Sequence, residues 1–115
     1  MKLPRHEEAV VPKEKITLYL LNVQHPKGGG KAIFFVRFGF SSERWEQLAN
    51  ALFTHAQMHE VAKIEQTVFG TRYVIEGVLE TPSTREPLVR VVWFISKGHT
   101  RPHLVSAYPL EHTDD

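Results

Sequence analysis

Two stretches hold the residue types that could do chemistry. His25 and Lys31 bracket the run Pro26-Lys27-Gly28-Gly29-Gly30, and Arg101, His103, Ser106 and Tyr108 follow near the other end of the chain. Such a set suits cleavage of RNA without a metal. That reaction needs a base to activate a 2′-hydroxyl, an acid to protonate the leaving 5′-oxygen, and a cation or donor to hold the charged phosphorane. Histidine, whose ordinary pKa is about 6.5, suits the first two tasks. His25 is therefore expected as one acid–base group and His103 as the second. Lys31 and Arg101 are expected as phosphate clamps and Ser106 and Tyr108 as positioning donors. Gly28 and Arg72 are expected to add substrate contacts.

Each residue also has a plainer reading. His25 precedes Pro26 and can stiffen the turn by a local hydrogen bond. Arg101 follows a turn and reads equally well as surface, and Tyr108 as a core ring with its hydroxyl at the edge. Lys31 near a helix N-terminus sits against the dipole, which points to an anionic partner. Other chemistries lack their signatures. There is no HExxH, no GxxxxGK[ST] and no GxGxxG after a strand. The GGGK at 28–31 could offer backbone N–H groups to a phosphate, but Ala32 stands where a hydroxyl would hold magnesium. His55 and His59 are one helical turn apart beside Glu60 and could share a metal, yet the polar QMHE around them reads as a fraying, solvent-exposed helix end. No metal and no cofactor is expected.

The elements that must position these residues follow from pattern. Residues 1–11 read as an extended arm with Leu3, Val10 and Val11 available to dock. Pro12 suits a helix start, and 13–21 reads as a short helix with Ile16, Tyr19 and Leu20 on one face and Asn22 as terminator. After the glycine loop, 31–38 reads as a helix burying Ile33, Phe34, Phe35 and Phe38 and closed by Gly39. Ser41 or Ser42 can cap a longer helix whose Trp45, Leu48, Ala49, Leu52 and Phe53 recur at helical spacing. The period then changes to two. Strands are expected at 62–68, 71–79, 88–96 and 103–108, with turns at Phe69-Gly70 and 97–100 and a loop at 81–87. The third has apolar residues on both faces and should be central. Pro109 ends the last strand, leaving 110–115 as a polar tail. Helices first and hairpin-linked strands after them predict one α+β domain over 1–115, in which helices pack on a four-stranded antiparallel sheet and leave its other face partly open.

Composition narrows the classes. Apolar residues make up 42% and charged residues 23%, and the net charge is +1, ordinary for a globular domain. The absence of cysteine removes disulfides and thiol chemistry and fits a reducing, cytoplasmic setting. No apolar run approaches the roughly 20 residues needed to span a bilayer, so no membrane association is expected. Charge is nevertheless segregated. No acid occurs between Glu14 and Glu43 or between Glu86 and Glu111, while Lys15, Lys27, Lys31 and Arg37 fall in the first window and Arg90, Lys97 and Arg101 in the second. Folded together, these windows would focus an anionic ligand such as RNA.

Leu18-Tyr19-Leu20-Leu21-Asn22, His25-Pro26, Gly28 and Lys31-Ala32 with Phe35 follow the pattern YxLNxxHPxGxxKAxxF. Arg72-Tyr73, Val91, Trp93-Phe94-Ile95 and Pro102 through Tyr108 form a second block. Both blocks resemble a family of small bacterial domains classed as a domain of unknown function (DUF6883-like), found alone and at the ends of toxin-like proteins. The second block departs from the family pattern at His103, where arginine is the more usual residue. The layout is also similar to metal-independent RNase toxins such as barnase and the RelE-type and colicin-type nucleases. The resemblance implies RNA as a substrate and a cognate partner protein; a non-catalytic protein-binding or immunity-type module is the alternative.

Overall fold

The computed structural model describes residues 1–110; the polar tail expected at 110–115 lies, from 111 on, outside the described residues. Three α-helical segments, α1 (Lys13–Lys15), α2 (Gly29–Arg37) and α3 (Trp45–Met58), precede four strands, β1 (Val61–Thr67), β2 (Gly70–Val78), β3 (Leu88–Ser96) and β4 (His103–Pro109). The strands form an antiparallel meander in the order β1-β2-β3-β4. The fold is α+β, with the helices packed on one face of the sheet. Alternation explains which face. Ile75 of β2, Val91 and Trp93 of β3 and Leu104 and Ala107 of β4 join Ile16, Leu20, Phe35, Leu48 and Leu52 in one buried cluster.

The helices depart from their expected form in ways that matter for the site. α1 is a single turn that continues as a π-helical stretch, Ile16–Leu20, in which the Leu21 N–H reaches back to the Ile16 carbonyl at 2.8 Å. The wider turn buries Ile16 and Leu20 fully while Tyr19 keeps partial exposure beside them. Asn22 ends the segment as expected: its side chain donates to the Leu18 carbonyl and accepts from the Gln24 N–H. α2 starts two residues earlier than the pattern suggests. It buries Ala32 and Phe35, leaves Phe34 and Phe38 half-buried, and turns Ile33 out to solvent at 51% exposure. Gly39 closes it at φ 102°, a conformation that favours glycine. Ser41 caps the turn leading into α3 by accepting the Arg44 N–H.

The expectation of a frayed, exposed end at His55–His59 is wrong. α3 runs to Met58, and His55 is 1% exposed. Its Nε2 lies 3.2 Å from the carbonyl oxygens of both Gly77 and Val89, so Nε2 carries the proton and donates to two strands at once. His55 Nδ1 is buried without a partner. His59 Nε2 meets the Val78 carbonyl at 2.9 Å, and its ring stacks edgewise on His55. A Cβ at Gly77 would come within 2.5 Å of the His59 ring, so only glycine admits this contact. Both imidazoles thus pin α3 to the sheet, in place of the metal role their spacing allowed.

Burial, reinforced by His59, pushes the His55 pKa down to about 4, against a hydrogen-bonding contribution from Gly77 and Val89 that raises it. In the unfolded chain the ring takes a proton near its ordinary pKa of 6.5, so the folded state loses ground as pH falls below that value. Unfolding free energy measured with urea should drop by about 2 kcal/mol between pH 7 and pH 5. A His55→Gln variant, which keeps a donor but cannot titrate, should lose most of that slope.

Candidate active site

The candidate site forms where the π-helical stretch and the start of α2 meet the β4 edge. Three residues supply its centre. The Lys31 Nζ donates to the Tyr19 hydroxyl at 2.5 Å, and the same hydroxyl lies 3.1 Å from Ser106 Oγ. The Lys31 ammonium also sits 5.0 Å from the Tyr19 ring and 5.7 Å from that of Tyr108. Among the described residues Lys31 takes part in no ion pair with a carboxylate. An ammonium held against a phenol beside an open hollow is an arrangement suited to an incoming anion. A hollow of about 450 Å³ opens beside it, lined by Lys27, Gly30, Lys31, Tyr108 and Pro109.

Tyr19 is the group most altered by this setting. Burial raises its pKa, but the hydrogen bonds from Lys31 and Ser106 and the charges of Lys31 and Lys15 outweigh burial and leave it below the ordinary phenol value. A phenol of this kind can exchange a proton more readily than a free tyrosine.

The glycine loop is built around His25. Its Nδ1 accepts the N–H groups of Lys27 at 3.0 Å and Gly28 at 2.9 Å, and the ring packs edgewise on Tyr19 at 5.1 Å. With that lone pair taken twice, the neutral ring carries its proton on Nε2. His25 therefore acts on the loop as a fold-determining acceptor and presents an N–H, a different part from the base that residue type alone suggests. Gly28 serves the same purpose. A Cβ there would meet the Tyr19 ring at 2.7 Å, so glycine lets the loop lie on the phenol. Its N–H, and that of Gly29 which donates to the His25 carbonyl, are spent inside the turn and are not free to cradle a phosphate.

Of the residues singled out by sequence, the fold thus gathers His25, Gly28, Lys31, Ser106 and Tyr108. It leaves Arg101 and His103 at the start of β4, engaged elsewhere. Arg101 Nε donates to the Glu8 carbonyl at 3.1 Å, and His103 pairs with Val10 in a short parallel bridge while its Nδ1 lies 3.3 Å from the Arg101 carbonyl. These contacts fasten the N-terminal arm, in which Leu3 is fully buried, to the sheet edge. Arg72 lies on the open sheet face, paired with Glu65. Tyr19 was missed because its helical spacing reads as a core position; the signal that could have found it is the even spacing Tyr19, His25, Lys31 around one loop. Among the described residues no group of three or more histidine, aspartate or glutamate side chains is assembled that could hold a metal, and no helix is long and apolar enough to cross a membrane.

A helical layer folded over a four-stranded antiparallel meander, with a polar cluster at its last strand, is the class of domain these observations define. Residues 2–111 match the family model described as a domain of unknown function, DUF6883, and the chain belongs to that family. No curated protein sequence matches it. The fold is similar to that of a chain in a solved contact-dependent growth inhibition toxin–immunity protein complex from Klebsiella pneumoniae 342. The TM-score is 0.72 at 14% identity, over 93% of this chain and 97% of that one.

The Lys31–Tyr19 contact makes a spectroscopic prediction. In absorbance titrations near 295 nm, the tyrosine that disappears in Tyr19→Phe should ionise below the ordinary phenol range. Lys31→Met should move it upward, because a positive neighbour that favoured the phenolate is gone.

Proposed function

We propose that this domain is a metal-independent RNase-like protein of the toxin-related kind, acting on RNA and controlled by a cognate partner protein. One observation carries the reading: Lys31, which has no carboxylate partner among the described residues, lines an open hollow and donates to a phenol of lowered pKa. A phosphodiester seated there would set its negative oxygens against the Lys31 ammonium. In the phenolate form, Tyr19 takes the proton of the 2′-hydroxyl as the 2′-oxygen bonds to phosphorus. The bond from phosphorus to the 5′-oxygen breaks, and the Lys31 ammonium gives that oxygen a proton. The direct contact between Tyr19 and Lys31 then returns the proton from phenol to amine and restores the starting state. Ser106 holds the phenol in line, and His25 fixes the loop that carries Lys31. The partner is supported by the complex in which the similar fold occurs.

Incubation of pure protein with total RNA in EDTA tests this. Wild type should cleave, and Lys31→Ala and Tyr19→Phe should each lose about 100-fold or more in rate. Arg101→Ala should stay within a few fold, because its guanidinium is spent on the N-terminal arm. No cleavage of any RNA by wild type would favour a non-catalytic partner-binding module instead.

A further inference from the structure

The sheet face turned away from the helices is charged where an apolar surface would be expected. Val74 and Val92 alternate with the core residues Ile75, Val91 and Trp93, yet they are only 5% and 1% exposed. Long polar side chains surround Val74. Lys63, Arg72, Glu76 and Arg90 line a hollow of about 320 Å³ over Val74, laying aliphatic stems on apolar surface and presenting charged heads to water. Tyr108 borders this hollow and also the one at Lys31, so the two meet at one ring. Arg90 lies 5.7 Å from that same ring. Across both hollows, among the described residues, Lys27, Lys31, Lys63, Arg72 and Arg90 face a single lining carboxylate, Glu76, with Glu65 beside it.

The two arginines are held without being used up. Arg90 donates from Nε at 2.8 Å and from Nη2 at 2.6 Å to one oxygen of Glu76, and Arg72 donates from Nη1 to Glu65. Each guanidinium keeps further N–H donors. The four side chains are 36–38% exposed, and ion pairs so open to water are weak, so a phosphate can share or displace the carboxylate.

We infer that this face is a phosphate track for single-stranded polynucleotide. The strand crosses the sheet from β4 toward β1, with Arg90 and then Arg72 holding phosphates to one side of the bond placed at Tyr19 and Lys31. Glu76 and Glu65 orient the guanidiniums and compete with the ligand. Four strands span about 14 Å, so the substrate extends past the two nucleotides at the cleaved bond. This inference rests on the RNA-directed reading of the site and names its substrate as an extended single strand.

The test is anisotropy of a labelled eight-nucleotide 2′-O-methyl RNA, which cannot be cleaved for want of the nucleophile, at several salt concentrations. Arg90→Gln and Arg72→Gln should each weaken binding about 10-fold and lower the salt slope by about one. Glu76→Gln, which frees Arg90, should tighten binding several-fold. Glu46→Gln, the same charge change on α3, should do nothing. Simple misfolding weakens every variant and cannot produce the gain. Equal affinity in all proteins, a loss in Glu76→Gln, or equal binding of a duplex of the same sequence would overturn the track. Cleavage of a dinucleotide by wild type reads the Lys31 site separately. Its failure with the binding pattern intact would remove catalysis and leave the track, and the reverse would remove the track alone.

Discussion

The Tyr19 hydroxyl is the point on which the site depends, because it joins three parts of the chain that are far apart in sequence. It takes a hydrogen bond from Lys31 at the head of α2 and lies within hydrogen-bonding distance of Ser106 on β4. The π-helical turn that carries it buries Ile16 and Leu20 on the sheet, and that burial fixes where the phenol can reach. Here, then, a local irregularity in a helix sets the position of a polar group. The loop between these helices is ordered to match. His25 gathers two backbone donors, and Gly28 yields the space the aromatic ring occupies. A glycine-rich segment would otherwise cost conformational entropy without return.

A second constraint comes from the other end of the helical layer. His55 places one buried N–H between the carbonyls of two strands, and His59 reaches a third carbonyl next to them. The imidazole contacts replace a purely apolar seam between α3 and the sheet with one of defined register. Their cost is an unpartnered buried nitrogen on His55, tolerable only while the ring is neutral. The fold is therefore anchored on one side by neutral histidine and opened on the other toward a cationic surface. Its shared shape with a chain of a toxin–immunity complex at 14% identity rests on the helix-on-meander architecture, since so few side chains coincide.

Much of this was legible in the chain. Alternation between Tyr73, Ile75 and Gly77 on one side and Arg72, Val74 and Glu76 on the other marks which side of β2 meets the core, and the apolar run at 88–96 marks an interior strand. The Trp45, Leu48, Leu52 spacing marks α3, and the Asn22 and Gly39 terminators act where their chemistry predicts. Lys31, Ser106 and Tyr108 were recognisable as residue types of interest. His25 was too, but residue type could not reveal that its Nδ1 would be spent on the backbone.

What the sequence determined by itself was the order and type of the elements, because hydrophobic period and terminator chemistry are local properties of the chain. Only tertiary structure decided which polar groups meet. Arg101 and His103 sit within five residues of Ser106 in sequence, yet they fasten the N-terminal arm through Glu8 and Val10 while Ser106 turns to Tyr19. The pairing of Arg90 with Glu76 and the meeting of two hollows at Tyr108 follow from strand register, which a single strand's pattern does not contain. Proton-transfer chemistry depends on separations of about 3 Å, and those are set by packing between segments that no local pattern connects.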